Sequence, residues 1–412
     1  MQISAMGLRA ACGVLLAAAC VPAAAQESAP LGLAGALSRA GALAPALEEA
    51  QANVDAAAGA AVQAGLAPNP ELSAELENVA GSGAFSGLRS VEATLAVSQR
   101  LELGGKRGAR RRAAREQLGA VRLEALMTRA DLALAVRSRF IEAAAATARA
   151  ALAESVVERA QELARIAGAL VDAGREPPLR SLRAEAALGE AEAALAEARA
   201  VAISARYALA SLWGETTAPP MLSAEIPELR APSNIDSSSA LAIQTAAAQR
   251  GAAEAAVSRE RAYAVPDMTV SAGVRRLEGA NAEAAVVSAS IGLPFRNRNQ
   301  GNILTAQARV RGAAAQEQLV RAEFYRDTAR ARAELRAAEA RSETLAERSV
   351  PQAEDALRLA RIGYRNGRFT LIDVLDAAAT RDAVRRSLIA ARAEREQAAA
   401  RLIRLAATEE TY

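Results

Sequence analysis

The sequence predicts an α + transmembrane β protein, a tandem repeat in which each half carries two β-strands and long α-helices. Three observations predict it. Matching residues recur 193 positions apart (301 − 108 = 193): Gly108 and Gly301, Leu152 and Leu345, Val157 and Val350, Gly174 and Gly367. Four stretches alternate apolar and polar residues with period two. Segments rich in Ala, Arg and Glu, each more than 60 residues long, separate them. A constant offset through strand, helix and turn marks a duplicated helix–hairpin–helix unit.

Composition narrows the classes. The chain is 51% hydrophobic but only 3% aromatic, and alanine dominates the apolar content. Alanine favours helix and fills little core volume, so long helices packed over narrow seams are expected. The 50 basic and 47 acidic side chains are interleaved, which gives no basic patch and no nucleic-acid partner. Histidine is absent, which excludes a Ser-His-Asp triad, a histidine base and histidine metal ligands. No catalytic constellation, cofactor motif or metal-ligand spacing is present, so an enzyme is not expected. Lys106 is the only lysine; a coding bias toward arginine accounts for it without a functional role.

Residues 1–25 read as a secretory signal. Arg9 supplies the positive end, residues 10–19 the short apolar run, and Ala23-Ala24-Ala25 before Gln26 a small-x-small cleavage site. Both cysteines, Cys12 and Cys20, fall in this segment, so cleavage after Ala25 leaves no thiol. The rival reading is lipid attachment at Cys20. No later stretch of about 18 apolar residues could span a bilayer as a helix.

In the first strand Leu72, Ala74 and Leu76 face one way, and Glu71, Ser73, Glu75 and Glu77 the other. In the second, Val91, Ala93, Leu95 and Val97 oppose Glu92, Thr94, Ala96 and Ser98. In the third, Met268, Val270, Ala272 and Val274 oppose Asp267, Thr269, Ser271, Gly273 and Arg275. In the fourth, Val287, Ala289, Ile291 and Leu293 oppose Ser288, Ser290 and Gly292. Strands of about 10 residues with one apolar face suit a barrel with lipid outside and water inside. A soluble sheet with one wet face would need a large partner core, which this chain does not offer. Four strands cannot close a membrane barrel and open edges are not tolerated in lipid, so several chains must share one. Tyr263 and Phe295 flank the second hairpin, where aromatics mark a membrane–water interface.

Long helices are expected over residues 107–173 and 301–365, each about 100 Å if continuous. Shorter helices precede each hairpin (33–43 with 45–66, and 238–263) and follow each glycine turn (177–213 and 370–407). Within each half the short helices together match one long helix in length. Val136, Phe140, Ile141, Leu152, Val156 and Val157 form an apolar seam. Charges such as Glu158, Arg159, Glu162 and Arg165 read as solvated surface. Pro351 lies inside the second long helix and should kink it. The division expected is residues 26–214 for the first repeat, 215–235 for a Pro/Thr/Ser-rich linker or belt segment, and 236–412 for the second repeat.

Specific strings now carry a resemblance. Ala67-Pro68-Asn69-Pro70-Glu71-Leu72-Ser73 resembles the approach to the first strand in the TolC-like outer membrane efflux proteins. Leu101-Glu102-Leu103-Gly104-Gly105-Lys106-Arg107 resembles the second-strand exit of their heavy-metal, CzcC-like branch, and residues 293–302 are the matching exit in the second repeat. Gly363-Tyr364-Arg365-Asn366-Gly367-Arg368-Phe369-Thr370 with the following Leu371 to Ala377 resembles the family's turn at the periplasmic tip. The resemblance implies a homotrimer in which four strands per chain build a 12-stranded outer-membrane barrel. It also implies a periplasmic α-helical coiled-coil barrel narrowing at the Gly174 and Gly367 turns. The implied partners are outer-membrane lipid, a periplasmic adaptor protein and an inner-membrane, proton-driven RND pump. The implied activity is a passive duct for divalent metal cations such as cobalt, zinc or cadmium. A duct for drugs or a secreted polypeptide is the alternative, and a structural coiled-coil surface protein the alternative of another class.

At that tip Asp373 and Asp376 are spaced i, i+3 and share a helical face. Threefold symmetry would make them carboxylate rings that favour cations; helix N-terminal acidity is the competing explanation. Arg180 aligns with Asp373 (373 − 193 = 180), where the best-known members carry an acid. Asp373 could therefore pair with Arg180 or Arg368. The candidate constriction comprises Gly174, Arg180, Tyr364, Gly367, Arg368, Asp373 and Asp376.

Overall fold

The computed structural model describes residues 30–217 and 221–411. The expected signal segment with Cys12 and Cys20, and Ala218, Pro219 and Pro220 of the connecting stretch, lie outside the described residues.

Helices α1 (Leu33–Leu43) and α2 (Pro45–Ala64) lead into strands β1 (Glu71–Glu77) and β2 (Glu92–Leu101). Helix α3 (Lys106–Asp172) then runs unbroken for 67 residues and turns back into α4 (Leu179–Ala210). The second half follows the same order: α5 (Leu241–Tyr263), β3 (Met268–Leu277), β4 (Ala282–Ile291), α6 (Gln300–Thr344), α7 (Val350–Arg365) and α8 (Leu371–Leu405). In each half the shorter helices pack along the long one, α2 and α4 on α3, α5 and α8 on α6, with α7 also on α8.

The strands form one antiparallel sheet in the order β1-β2-β3-β4. Its register stacks Leu72, Val97, Ala272 and Val287 in one cross-strand row, and Glu71, Ser98, Ser271 and Ser288 in the next. One face is thus apolar and the other polar, as alternation dictates. The apolar face is bare, with Leu72 72% and Val287 80% exposed. Among the described residues neither edge strand, β1 or β4, has a further neighbour. Among the described residues no helix is long and apolar enough to cross a membrane.

The disturbance expected at Pro351 takes a specific form, and one charge differs from the sequence reading. The second long helix is not a continuous α-helix: Leu345–Ser349 form a π turn between α6 and α7. Pro351 has no N–H for the Glu347 carbonyl, and its ring crowds that carbonyl. The chain widens one turn ahead of it, and the Val350 N–H donates to Leu345 O five residues back. Arg159, read as solvated, is instead half-buried against a buried acid. It donates to Asp382 of α8 at 2.6 Å, and Arg381 reaches the same carboxylate at 2.7 Å. Helix periodicity cannot reveal such a pair, because α8 arrives from the other half of the chain.

The connecting stretch is docked rather than loose. Leu31 and Leu222 form a parallel bridge and are buried with Trp213, Phe140 and Val136. Farther along, the Leu229 N–H donates to Glu396 at 2.6 Å, and Glu396, 1% exposed, is ion-paired with Arg395.

The joint between sheet and helices is held by polar clamps. Arg110 donates to the carbonyls of Ala64 and Leu66, and Arg107 to that of Gly65, capping the C-terminus of α2. Arg110 also pairs with Glu102. Lys106, to which the sequence assigns no role, is buried and donates to Asp267 at 2.6 Å; the Leu103 N–H shares that oxygen. Gly104 makes room for the crossing: its φ is +69°, and a Cβ there would lie 2.6 Å from Val265. The clamp thus ties the end of β2 to the start of β3, one half of the chain to the other.

Replacing Lys106 by Met removes the cation and leaves the Asp267 carboxylate, 26% exposed, with one N–H donor. Thermal or denaturant unfolding of Lys106→Met is expected to show a loss of about 2–3 kcal/mol, below the 3–5 typical of a fully buried pair. Lys106→Arg, which keeps the charge, should lose less.

Candidate functional site at the turn end of the helices

The two helical turns meet at the end of the molecule opposite the sheet. The first follows α3: the Gly174 N–H donates to Val171 O and the Arg175 N–H to Leu170 O, both at 2.9 Å. The second follows α7: the Gly367 N–H donates to Tyr364 O at 3.0 Å and the Arg368 N–H to Gly363 O at 2.8 Å. Each is a Schellman ending with glycine in the left-handed region, φ +68° at both Gly174 and Gly367. A second close approach fixes the latter turn. A Cβ at Gly363 would lie 2.1 Å from the Phe369 ring, so the ring can fold back over the helix only at a glycine.

Leu163, Ala167 and Ala184 from the first half pack with Leu357, Ala360, Leu371 and Val374 from the second. This small apolar cluster brings the two turns together. Above it a cavity of about 510 Å³ is lined by Arg175, Glu176, Arg180, Arg361, Tyr364 and Arg365, among others.

The sequence-predicted residues divide into two groups. Tyr364, Arg180 and Gly367 meet in this cavity. Burial pushes the Tyr364 hydroxyl above its usual range, helped by the Glu176 carboxylate and opposed by Arg180. Asp373 and Asp376 are exposed beyond it, with Gly174 and Arg368 on the outer turns.

Asp373 is held by its own helix. Thr370 caps α8: its hydroxyl accepts from the Asp373 N–H, and the Thr370 N–H donates to the Asp373 carboxylate at 2.7 Å. This capping box uses an acid at the third helical position, a spacing readable in Thr370-x-x-Asp373. Hydrogen bonds from the Thr370 N–H and hydroxyl lower the Asp373 pKa, and the Arg180 charge adds to the effect. The direct Arg180 or Arg368 pair considered from the sequence is not formed. Arg180 pairs with Glu176 at 3.5 Å, one helical turn away in its own half. A local partner is already in reach, and Asp373 is satisfied by its cap.

The sequence reading missed Glu176 and Gly363. Nothing in the order of residues signals that Gly363 sits under Phe369. Glu176 lies four before Arg180, a spacing that marks helical ion pairs, but Pro177 and Pro178 between them hide it. Among the described residues no group of three or more His, Cys, Asp or Glu side chains is arranged to hold a metal ion.

A carboxylate whose folded pKa is depressed contributes its full stabilisation above the usual aspartate pKa, about 3.9, and loses it as pH falls through the lowered value. Amide exchange in the first turn of α8 should therefore quicken as pH falls below about 4, beyond the intrinsic change. Asp373→Asn cannot make the charged cap, and its first turn should be less protected above that pH, without that pH dependence.

Comparison with known proteins accords with this architecture. The chain is 33% identical to the cobalt-zinc-cadmium resistance protein CzcC of Cupriavidus metallidurans over 76% of this chain and 75% of that protein. It is 35% identical to the nickel and cobalt resistance protein CnrC of the same organism over 62% of each chain. Among solved structures, the outer membrane protein VceC of Vibrio cholerae shares the fold with a TM-score of 0.74 at 23% identity, over 91% of this chain and 96% of that one. The family profile described as outer membrane efflux protein matches residues 36–215 and 237–408, one segment in each half. With nearly the whole described chain matched, the protein belongs to the outer membrane efflux protein family.

Proposed function

We propose that this chain forms the outer-membrane duct of a tripartite efflux system for divalent metal cations such as cobalt, zinc or cadmium. The observation that carries the duct is the unfinished sheet: four strands, two open edges and a bare apolar face. Open edges cannot stand in hydrocarbon, and four strands are too few to close, so copies of the chain complete one another. Three copies give the 12 strands of a barrel within the usual membrane range. The polar face lines the lumen, and the helices continue the passage through the periplasm as a coiled-coil barrel. The signal at residues 1–25 exports the chain, and the halves 26–214 and 236–412 act as repeat units joined by 215–235.

The duct is passive and performs no catalysis. A periplasmic adaptor docks at the turn end, and an inner-membrane RND pump supplies the energy. The metal cargo follows from the relatives, whose names record resistance to cobalt, zinc, cadmium and nickel. Without histidine, and with both cysteines in the expected leader, the chain has no imidazole or thiolate ligand with which to choose an ion. Choice of ion therefore belongs to the pump. What the duct contributes is charge. Threefold repetition of Asp373 and Asp376 gives carboxylate rings at the narrow end, formed with Gly174, Gly367, Arg180, Arg368 and Tyr364 around them.

Deleting the gene should lower tolerance to cobalt, zinc, cadmium or nickel several-fold and leave tolerance to antibiotics and detergents unchanged. Sensitivity to drugs alone would reassign the cargo and overturn the metal reading. In planar bilayers the purified channel should prefer cations, and the double variant Asp373→Asn with Asp376→Asn should reduce the cation-to-anion permeability ratio several-fold. An unchanged ratio would remove the two aspartates from the constriction.

A further inference from the structure

We infer that the strand register between neighbouring copies is encoded within the chain, and that it sets Arg296 of one copy against Glu71 of the next. The register rests on the trimeric barrel proposed above. The repeat makes β3 the counterpart of β1 and β4 the counterpart of β2. The pairing of β2 with β3 inside the chain is then the template for β4 with β1 of a second copy.

The offset of 193 holds for the helices and turns but not for the strands, where insertions change it; two markers fix the correspondence there. Pro70 and Pro266, each followed by an acid at the start of a strand (Glu71 opens β1, Asp267 immediately precedes β3), lie 196 apart (266 − 70). Gly105 and Asn299, the left-handed residues that precede α3 and α6, lie 194 apart (299 − 105). The hairpins check both offsets independently. Glu71 pairs with Ser98; carried forward by 196 and 194, that pair becomes Asp267 with Gly292. The second hairpin ends on Met268 with Ile291, so Asp267 and Gly292 are its next step.

The same offsets carry the inner seam outward. Val97 with Ala272 becomes Ile291 with Leu76, Gln99 with Val270 becomes Leu293 with Ala74, and Leu101 with Met268 becomes Phe295 with Leu72. Every one of these pairs lies on the apolar face, so the deduced register keeps that face continuous around the barrel. It also gives a partner to residues 292–295, which lie beyond the end of β4 in the single chain and expose Leu293 and Phe295. Pro294 has no N–H and costs this ladder at most one hydrogen bond.

One step farther along the seam, on the polar face, Glu71 meets Arg296. Both are exposed, and neither has an ion-pair partner among the described residues of its own chain. The inner template places Glu102 and Asp267 at the matching positions and neutralises Asp267 with Lys106. On the outer seam Lys106 is replaced by Gln300 and Glu102 by Arg296 (106 + 194 = 300; 102 + 194 = 296). The cation has moved from the helix start to the position facing the acid. Cross-strand opposite charges stabilise such a pair, and like charges there destabilise it.

The test uses the full chain with Cys12 and Cys20 replaced by alanine, and a second pair of cysteines introduced. Within one copy, positions 74 and 293 sit on opposite edges of the sheet, about 14 Å apart across the strands and eight residues apart along them, since the row of Ala74 reaches Ala285 on β4 (293 − 285 = 8), too far for a disulfide. Oxidation of the double variant Ala74→Cys with Leu293→Cys should link most chains into a covalent trimer. Shifted pairs, Leu72→Cys or Leu76→Cys with Leu293→Cys, should link far less. Separately, Glu71→Arg and Arg296→Glu should each lower the temperature at which the trimer dissociates in detergent, and combining them should restore it. A shifted pair linking best, or a charge swap that fails to restore stability, overturns the register while the trimer stands. Monomer by light scattering with no linking at any pair overturns the trimeric barrel itself, and the register with it.

Discussion

The structure depends on one constraint: a backbone N–H or C=O facing hydrocarbon must be bonded to another backbone group. A four-stranded sheet satisfies its inner strands and leaves two edges open. The chain cannot meet the constraint alone in a membrane, and its assembly follows from that. The duplication supplies the means, since a unit able to pair β2 with β3 carries the surfaces to pair β4 with another β1. A head-to-tail interface of this kind closes into a ring when the rotation per copy divides the circle.

Below the sheet, the chain must change from a period of two to a period of 3.6 without losing alignment between the halves. Charged clamps do this. Lys106 on Asp267 and Arg110 on the carbonyls ending α2 fix where each helix leaves its strand. Farther down, the narrow alanine seams leave little apolar area to hold the halves together. Part-buried pairs such as Arg159 with Asp382 contribute orientation there, because each carboxylate and guanidinium accepts few geometries. The arrangement suits a tube wall, which must be thin, long and wet on the inside.

At the turn end the two halves are similar in backbone and different in chemistry. Both turns close by the same glycine geometry. Only the second has a capping box, built on Thr370 and Asp373, whereas the first approaches its helix through Pro177 and Pro178. The second half also carries the π turn at Leu345–Ser349, where the first half is regular helix. Duplication preserved the path of the chain, and divergence placed Asp373, Asp376, Pro351 and the π turn in one half.

Much of this was readable from the residues. Period-two alternation named the four strands and their apolar face, because side-chain direction in a strand depends only on parity. Alanine content, glycine turns and the 193-residue recurrence gave the helices and their ends. The acid at the third position after Thr370 was legible as helix-terminal chemistry. Other features were not. Lys106 and Asp267 are 161 residues apart, Arg159 and Asp382 are 223 apart, and Leu229 and Glu396 are 167 apart. Local periodicity records only which residues share a face, within a few positions. Which distant charge that face meets, and whether Arg180 turns to Glu176 or to Asp373, is decided by how the helices pack, and only the tertiary structure holds that information.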